Sequence, residues 1–167
     1  MAELFTHVLA GYILATALSW RFTWITPPLV TVAMVGAALP DLNRIGLLVD
    51  AALIESMLGI PFSWTPLHRI GGTVLVIALG TLLVPSRLRK AVAIMLILGA
   101  GSHYLLDLFL YQPSGLAGPM FWPLTGERIA IPGFYLSSDR WTAAVAIIIA
   151  GIVFAIDRYY FPPERRP

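Results

Sequence analysis

Five apolar stretches constrain the fold of this chain more than any other feature. They cover residues 4–20, 27–39, 70–84, 91–111 and 141–156. Hydrophobic residues make up 58% of the 167 residues and charged residues only 12%, about half the charged share of a typical soluble domain. Because so few polar side chains cannot cover a soluble surface, the sequence predicts an all-α polytopic membrane protein. We expect a bundle of about five transmembrane helices in one domain, residues 1–167.

The second and third stretches are short for this purpose. A perpendicular span needs about 20 residues, so these two reach that length only if their polar flanks are also helical. Small residues at 36–38, 71–72 and 99–101 favour close helix contacts in lipid. The first stretch starts after Glu3 rather than after a basic region and has no small-residue cleavage site before Arg21, so we predict a mature helix rather than a signal peptide.

The positions of Lys and Arg predict the orientation in the membrane. If PSRLRK, residues 85–90, faces the cytoplasm, five spans place the N-terminus outside and the C-terminus inside. Seven of the 11 basic residues then lie inside, namely Arg21, Arg87, Arg89, Lys90, Arg158, Arg165 and Arg166. The others, Arg44, Arg69, Arg128 and Arg140, lie outside. The sequence therefore predicts a multi-pass cell-membrane protein with a cytoplasmic C-terminus.

All three histidines and two aspartates fall at the outer end of the predicted spans. His7 lies one turn into the first span, Asp41 ends the second and His68 begins the third, while His103 and Asp107 lie in the outer half of the fourth. Charged groups at membrane depth are costly, and they persist mainly when paired, solvated in a cavity or bound to a metal. Because the orientation rests on Lys and Arg alone, this agreement in depth independently indicates a shared site.

A metal would explain the cluster. His103 and Asp107 are four residues apart, which places them on one helix face about 6 Å from each other. The chain has no cysteine, so ligands must be His, Asp, Glu, backbone or water. Imidazole with carboxylate suits Zn²⁺, and also Mn²⁺ or Fe²⁺. We predict a mono- or dinuclear site, most simply zinc, whose bound water would have a pKa lowered from about 15.7 towards about 7.

Other interpretations remain open at this point. A single intramembrane histidine is more often a packing residue, and Asp41 after Pro40 could simply cap a helix. Arg44, Arg69 and Arg128 could pair with the carboxylates in an ordinary ion-pair network, and Glu127 beside Arg128 is expected to be solvated. Two non-enzymatic functions are also possible: an ion-binding, transporter-like bundle and a scaffold that a metal stabilises. Transporter sites usually lie near the midplane and accompany repeats, which the sequence does not show.

Five short motifs carry a family resemblance: THxxxGY (6–12), LPDLN (39–43), HR (68–69), GSHYLLD (101–107) and FWPL (121–124). Their order resembles the YdjM-like family of membrane-bound metal-dependent hydrolases, also described as LexA-binding inner-membrane proteins, from about residue 5 to 128. The resemblance implies a metal site formed by His7, Asp41, His68, His103 and Asp107. A more distant similarity to zinc-dependent phospholipase C and related nucleases implies phosphoester hydrolysis.

Two departures from the family pattern bear on the number of metals. The chain has Asn43 where members often carry a second acid, and HRIGGTV has Val74 and no second histidine. Both changes remove a ligand from a dinuclear site, whereas the five remaining groups could still hold one metal.

The resulting hypothesis is a hydrolase that attacks an ester or phosphoester of an amphipathic, lipid-like substrate. Asp41 or Asp107 would act as general base, and Arg69 or Arg44 would steady an oxyanion through two parallel donors. Residues 50–62 are expected along the membrane interface, and Trp122 in FWPL near the headgroups. The expected partners are membrane lipids; no basic run is long enough to suggest nucleic acid.

Overall fold

The computed structural model describes residues 2–130 and 133–161, and the fold of this part is helical. The six α-helices are α1 Ala2–Ser19, α2 Pro27–Ala38, α3 Ala51–Leu58, α4 Ile70–Leu82, α5 Ser86–Leu108 and α6 Arg140–Tyr160. Two 3-10 helices cover Leu39–Leu47 and Thr65–His68. The described residues contain no strand, only two isolated bridges within the loop after α5. The all-helical prediction is confirmed, and each of the five apolar stretches forms a helix.

Not every helix is long enough to cross a membrane. By length and composition α5 and α6 are, and a third crossing is added if Pro27–Leu47 and α3, which meet at 72°, form one bent span. The 12 residues of α2 and the 13 of α4 extend about 18 and 20 Å at about 1.5 Å per residue, less than the roughly 30 Å hydrocarbon core. The described helices thus include two or three candidates for a full crossing, and five crossings stay a prediction.

Helix α5 lies at the centre of the bundle. It packs against α1, α2 and α4, while α1 also packs against α2 and α6. At the α2–α5 contact, a Cβ atom on Gly36 would meet the backbone of Leu96, and one on Gly99 would meet the carbonyl of Ala33. The predicted role of small residues in close helix contacts is therefore observed at this pair. Gly11 of the THxxxGY motif makes a similar approach, from α1 to α2.

The helices α1, α2, α4 and α5 alternate in direction along the chain, which brings four helix ends together. The N-terminal part of α1, the 3-10 helix after α2, the 3-10 helix before α4 and the C-terminal part of α5 meet at one end of the bundle. At the other end, Trp20 Nε1 donates to Asp157 Oδ1 at 2.9 Å and joins the C-terminal ends of α1 and α6. Arg165 and Arg166, predicted on that side, lie outside the described residues.

The loop between α5 and α6 folds back over the end where the four helices meet. The N–H groups of Ile70 and Gly71, at the start of α4, donate to the carbonyls of Met120 and Trp122 at 2.9 and 3.0 Å. The Tyr135 hydroxyl donates to the backbone carbonyl of residue 106 in α5 at 2.8 Å. These bonds fix the loop next to the first turn of α4 and the last turn of α5.

Helix α3 occupies the segment predicted to lie along the interface. Asp50 caps its N-terminus by accepting from the Ala52 N–H at 2.9 Å, and Gly59 ends it with a left-handed φ of 68°. None of its residues is buried, and Leu53, Met57 and Leu58 are more than half exposed. An apolar helix that the other described residues leave uncovered fits the predicted interfacial position.

Candidate metal centre

The centre is built around Asp107, in the last turn of α5. His103, one turn earlier and fully buried, places its Nε2 3.2 Å from Asp107 Oδ2. The spacing of four residues puts both side chains on the same helix face, as the sequence predicted. Seven residues of α5, including His103, face the core, so the Asp107 carboxylate is held at the end of the packed interior.

Two further histidines reach the same carboxylate from other helices. His7 of α1 places Nε2 3.3 Å from Asp107 Oδ1, and His68, at the end of the second 3-10 helix, places Nε2 3.0 Å from Oδ2. The rings of His7 and His103 are stacked with centroids 3.9 Å apart. Three imidazole Nε2 atoms from three distant parts of the chain therefore converge on one carboxylate.

The opposite ring nitrogens of two histidines are fixed by backbone carbonyls. His103 Nδ1 lies 2.8 Å from the carbonyl of Ala37, and His68 Nδ1 lies 2.9 Å from the carbonyl of Pro40. A carbonyl can only accept, so each Nδ1 carries the proton and donates. The neutral rings then direct the Nε2 lone pair at the centre, which is the arrangement that orients histidine ligands in metal sites.

Asp41 stands beside this group in the first 3-10 helix and is 8% exposed. Its Oδ1 lies 3.1 Å from Arg44 Nε and 3.9 Å from His68 Nδ1. The 3-10 helix begins at Leu39, directly after α2, with Pro40 as its second residue, and Asp41 lies in its first turn. Asp41 therefore belongs to the cluster and has Arg44 as its charged partner.

The donor set suits a divalent cation. Each of two groups, His7–His103–Asp107 and Asp41–His68–His103, has ligand atoms within 4.8 Å of one another. Tetrahedral ligands about 2.0–2.1 Å from zinc lie about 3.3–3.4 Å apart, close to the 3.0–3.3 Å between Asp107 and the three Nε2 atoms. Within the described part of the chain, His7 Nδ1, His103 Nε2 and Asp41 Oδ2 are buried without a hydrogen-bond partner. Buried polar atoms are rarely left so, and a cation between the imidazoles would satisfy His103 Nε2.

His68 is the cluster histidine nearest the surface, with 34% of its side chain exposed. Burial lowers its pKa, but the hydrogen bond and negative charge of Asp107, followed by the Pro40 carbonyl and Asp41, outweigh that effect. The net result is a pKa raised above the ordinary 6.5. In the absence of a metal, His68 thus binds a proton more readily than a free histidine does.

A relay of two hydroxyl groups, which the sequence analysis did not predict, supports the 3-10 helix that ends at His68. Thr73 Oγ1 donates to the carbonyl of Leu67 at 3.1 Å, and the Tyr104 hydroxyl lies 2.7 Å from the same Thr73 oxygen. Because Thr73 has one proton to give, Tyr104 is the donor in the second bond. The relay ties α5 to α4 and to the 3-10 helix that ends at His68. Tyr104 lies within the GSHYLLD motif, but no spacing in the sequence links it to Thr73 in another helix.

Two cavities open beside the cluster. One, of about 210 Å³, is lined by His7, Asp41, Asn43, Arg44, His68, Asp107 and Leu110. The other, of about 250 Å³, shares His68 and Asp107 with the first and extends under the loop after α5 to Arg69, Gln112 and Met120. Asn43 lines both cavities, and its Oδ1 is buried without a hydrogen-bond partner among residues 2–130 and 133–161. The cluster is therefore accessible from two cavities whose lining is partly polar.

The structure thus brings together the five residues that the sequence singled out: His7, Asp41, His68, His103 and Asp107. Among the described residues, Arg69 forms no ion pair with the two aspartates; it lines the larger cavity, and its guanidinium lies 5.6 Å from the centre of the Trp122 ring. Arg44, the alternative, is paired with Asp41. Glu127 is exposed on the loop and lines neither cavity.

The fold and the site together define a class: helical membrane proteins with a buried histidine–aspartate cluster able to hold a metal. Within that class, the chain matches the family described as YdjM inner membrane protein over residues 1–166, and it belongs to that family. The resemblance drawn from the five motifs is confirmed. Comparisons with curated proteins and with solved structures found no match.

Proposed function

We propose that the protein is a membrane-bound, metal-dependent hydrolase, and that the cluster holds one divalent metal, most simply zinc. His7, His103 and Asp107 would bind it, with His68 and Asp41 completing the set. The observation that supports this most directly is the convergence of three Nε2 atoms on one carboxylate at 3.0–3.3 Å. Their donor types match zinc rather than calcium or magnesium, which favour oxygen ligands.

When bound, such a metal lowers the pKa of water towards about 7 and so supplies a nucleophile at neutral pH. Asp41 is the better candidate for the general base, because its Oδ2 makes no hydrogen bond and the residue lines the smaller cavity. Asp107 is less suited, since three imidazoles already surround it. Arg69 would steady the negative charge that develops on the substrate, as a bidentate donor from the neighbouring cavity.

The substrate would be an ester or phosphoester of an amphipathic molecule that approaches from the membrane surface. The cluster lies at one end of the bundle rather than at half height, as the meeting of four helix ends indicates. With the orientation predicted from Lys and Arg, this end faces outward, and α3 lies along the lipid boundary. The shorter helices α1, α2 and α4 would complete five crossings together with α5 and α6, in one domain.

A second function, a scaffold that the metal only stabilises, is favoured by one observation. Arg44 pairs with Asp41 at 3.1 Å, and the imidazoles of His68 and His103 contact Asp107, so the cluster can form a closed polar network without any substrate. In that case metal would bind, but no ester would be cleaved.

The test compares turnover with metal content. The detergent-purified chain would be stripped with a chelator, reloaded with Zn²⁺ and assayed on bis(4-nitrophenyl) phosphate and on a short-chain phospholipid. We expect metal-dependent hydrolysis that Asp41→Asn reduces by at least about 100-fold, the usual share of a general base. Asp50→Asn is the matched control, because Asn caps helices as well as Asp does. Stoichiometric zinc without hydrolysis of either substrate would contradict the hydrolase and leave the scaffold.

A further inference from the structure

The larger cavity beside the cluster differs from the metal centre in chemistry. Its lining includes His68 and Asp107, the cation Arg69 and the neutral polar side chains of Asn43, Thr65 and Gln112. The apolar part of the lining includes Ala117, Pro119 and Met120 of the loop after α5. A cavity with one charged group, a few polar groups and an apolar wall is typical of a small-molecule site.

Arg69 is the cation that remains available there. Arg44 pairs with Asp41 at 3.1 Å, whereas among residues 4–130 and 133–161 no carboxylate lies within ion-pair distance of Arg69. The indole of Trp122 supports the Arg69 guanidinium at 5.6 Å. Such a contact retains the positive charge and leaves the N–H donors in the plane of the group free.

The start of α4, the other possible anion site, is already occupied. Arg69 is the residue that precedes the helix, and the N–H groups of Ile70 and Gly71 donate to loop carbonyls. The N–H groups of Ile70 and Gly71 are therefore not available to an anion in this cavity, which makes the Arg69 side chain the principal donor there. The same two bonds hold Trp122 next to the guanidinium, so the donor is positioned before any ligand arrives.

From these observations we infer that the larger cavity is a headgroup site for a phosphate ester, with the phosphate on Arg69 and the remainder of the headgroup between Asn43, Thr65 and Gln112. The volume of about 250 Å³ is below the roughly 300–1,000 Å³ of pockets that enclose drug-sized ligands. It admits a phosphate with a small alcohol but not acyl chains, which would stay outside. This inference names the substrate class of the proposed hydrolase and rests on that proposal for its catalytic meaning.

The test measures binding without metal and without turnover. The full chain in detergent, stripped by a chelator, would be titrated with glycerol 3-phosphate, with dihexanoyl phosphatidylglycerol and with uncharged dihexanoylglycerol, and binding followed by tryptophan fluorescence. We expect the phosphate compounds to bind and Arg69→Gln to weaken binding at least about tenfold, the effect of one lost charged hydrogen bond. Arg69→Lys retains the positive charge but lacks the two parallel N–H donors of the guanidinium, so its affinity should lie between those of the wild type and Arg69→Gln.

Arg128→Gln, on the exposed part of the same loop, is the matched control and should bind as the wild type does. Binding of glycerol 3-phosphate as tightly as the lipid would support a water-soluble phosphate ester, and tighter binding of the lipid would support a membrane headgroup. Equal binding of uncharged dihexanoylglycerol, or unchanged binding in both Arg69 variants, would overturn the inference. Because no metal is present, failure of the hydrolase assay leaves this result intact, and the reverse also holds.

Discussion

Replacing Asp107 by Asn tests the metal centre with the smallest change in shape. The variant retains the size of the side chain but removes the negative charge that three Nε2 atoms face at 3.0–3.3 Å. One charge-assisted contact is worth about 1.5–3 kcal/mol. Because the three contacts share a carboxylate, their energies do not add. We therefore take the loss of zinc-binding free energy to be near the upper end of the range for a single contact. About 2.7 kcal/mol corresponds to a 100-fold weaker affinity for zinc.

Thermal unfolding in detergent measures this loss. At a free zinc concentration of about 100 times the wild-type Kd, binding adds about 2.7 kcal/mol to the free energy of unfolding, and after a 100-fold loss of affinity it adds about 0.4 kcal/mol. Nearly all of the zinc-dependent rise in Tm should therefore disappear in Asp107→Asn and persist in Asp50→Asn, which leaves the cluster untouched. An Asp107→Asn protein that zinc stabilises as much as the wild type would refute the assignment of this carboxylate as a ligand.

Three further predictions concern packing, support and pH. Gly99→Ala should lower the free energy of unfolding by about 1–3 kcal/mol, as overpacking does. Gly101→Ala should leave it unchanged, because a Cβ atom there meets nothing within 4 Å. Equal effects of the two variants in denaturant titrations would contradict the α2–α5 contact. Thr73→Val should cost about 1–3 kcal/mol in the same titrations by leaving buried groups unpaired, and Tyr104→Phe less; no cost in Thr73→Val would contradict the relay. The pKa of His68 is raised above 6.5, and metal binding must displace its proton. Zinc affinity should therefore fall as the pH decreases through and below neutrality, and His68→Gln should weaken that dependence. A pH-independent Kd for zinc would contradict His68 as a ligand.

The sequence predicted where the site lies better than it predicted the contacts that hold its side chains in place. His7, Asp41, His68 and His103 lie at the ends of successive apolar stretches, and alternation of helix direction is enough to bring such ends together. The i, i+4 pair on α5 required only helix geometry. The confirmed family and the all-helical fold follow from the same motifs and the same low charge content.

What the sequence could not reveal depends on backbone atoms and on loop conformation. The carbonyls of Ala37 and Pro40 orient two histidines, but every residue has a carbonyl, so no sequence signal marks these two. The 72° bend after the first 3-10 helix and the course of the loop over the cluster arise from tertiary contacts. The availability of Arg69 and the pairing of Arg44 likewise emerged only from the positions of the two side chains.

X-ray absorption at the zinc edge, on the reloaded protein in detergent, measures the coordination shell itself. The account predicts about one zinc per chain with at least two imidazole nitrogens at about 2.0–2.1 Å, and loss of an imidazole signal in His103→Ala. A shell made of oxygen atoms alone, or a spectrum that is unchanged in His103→Ala, would show that the histidines do not bind the metal.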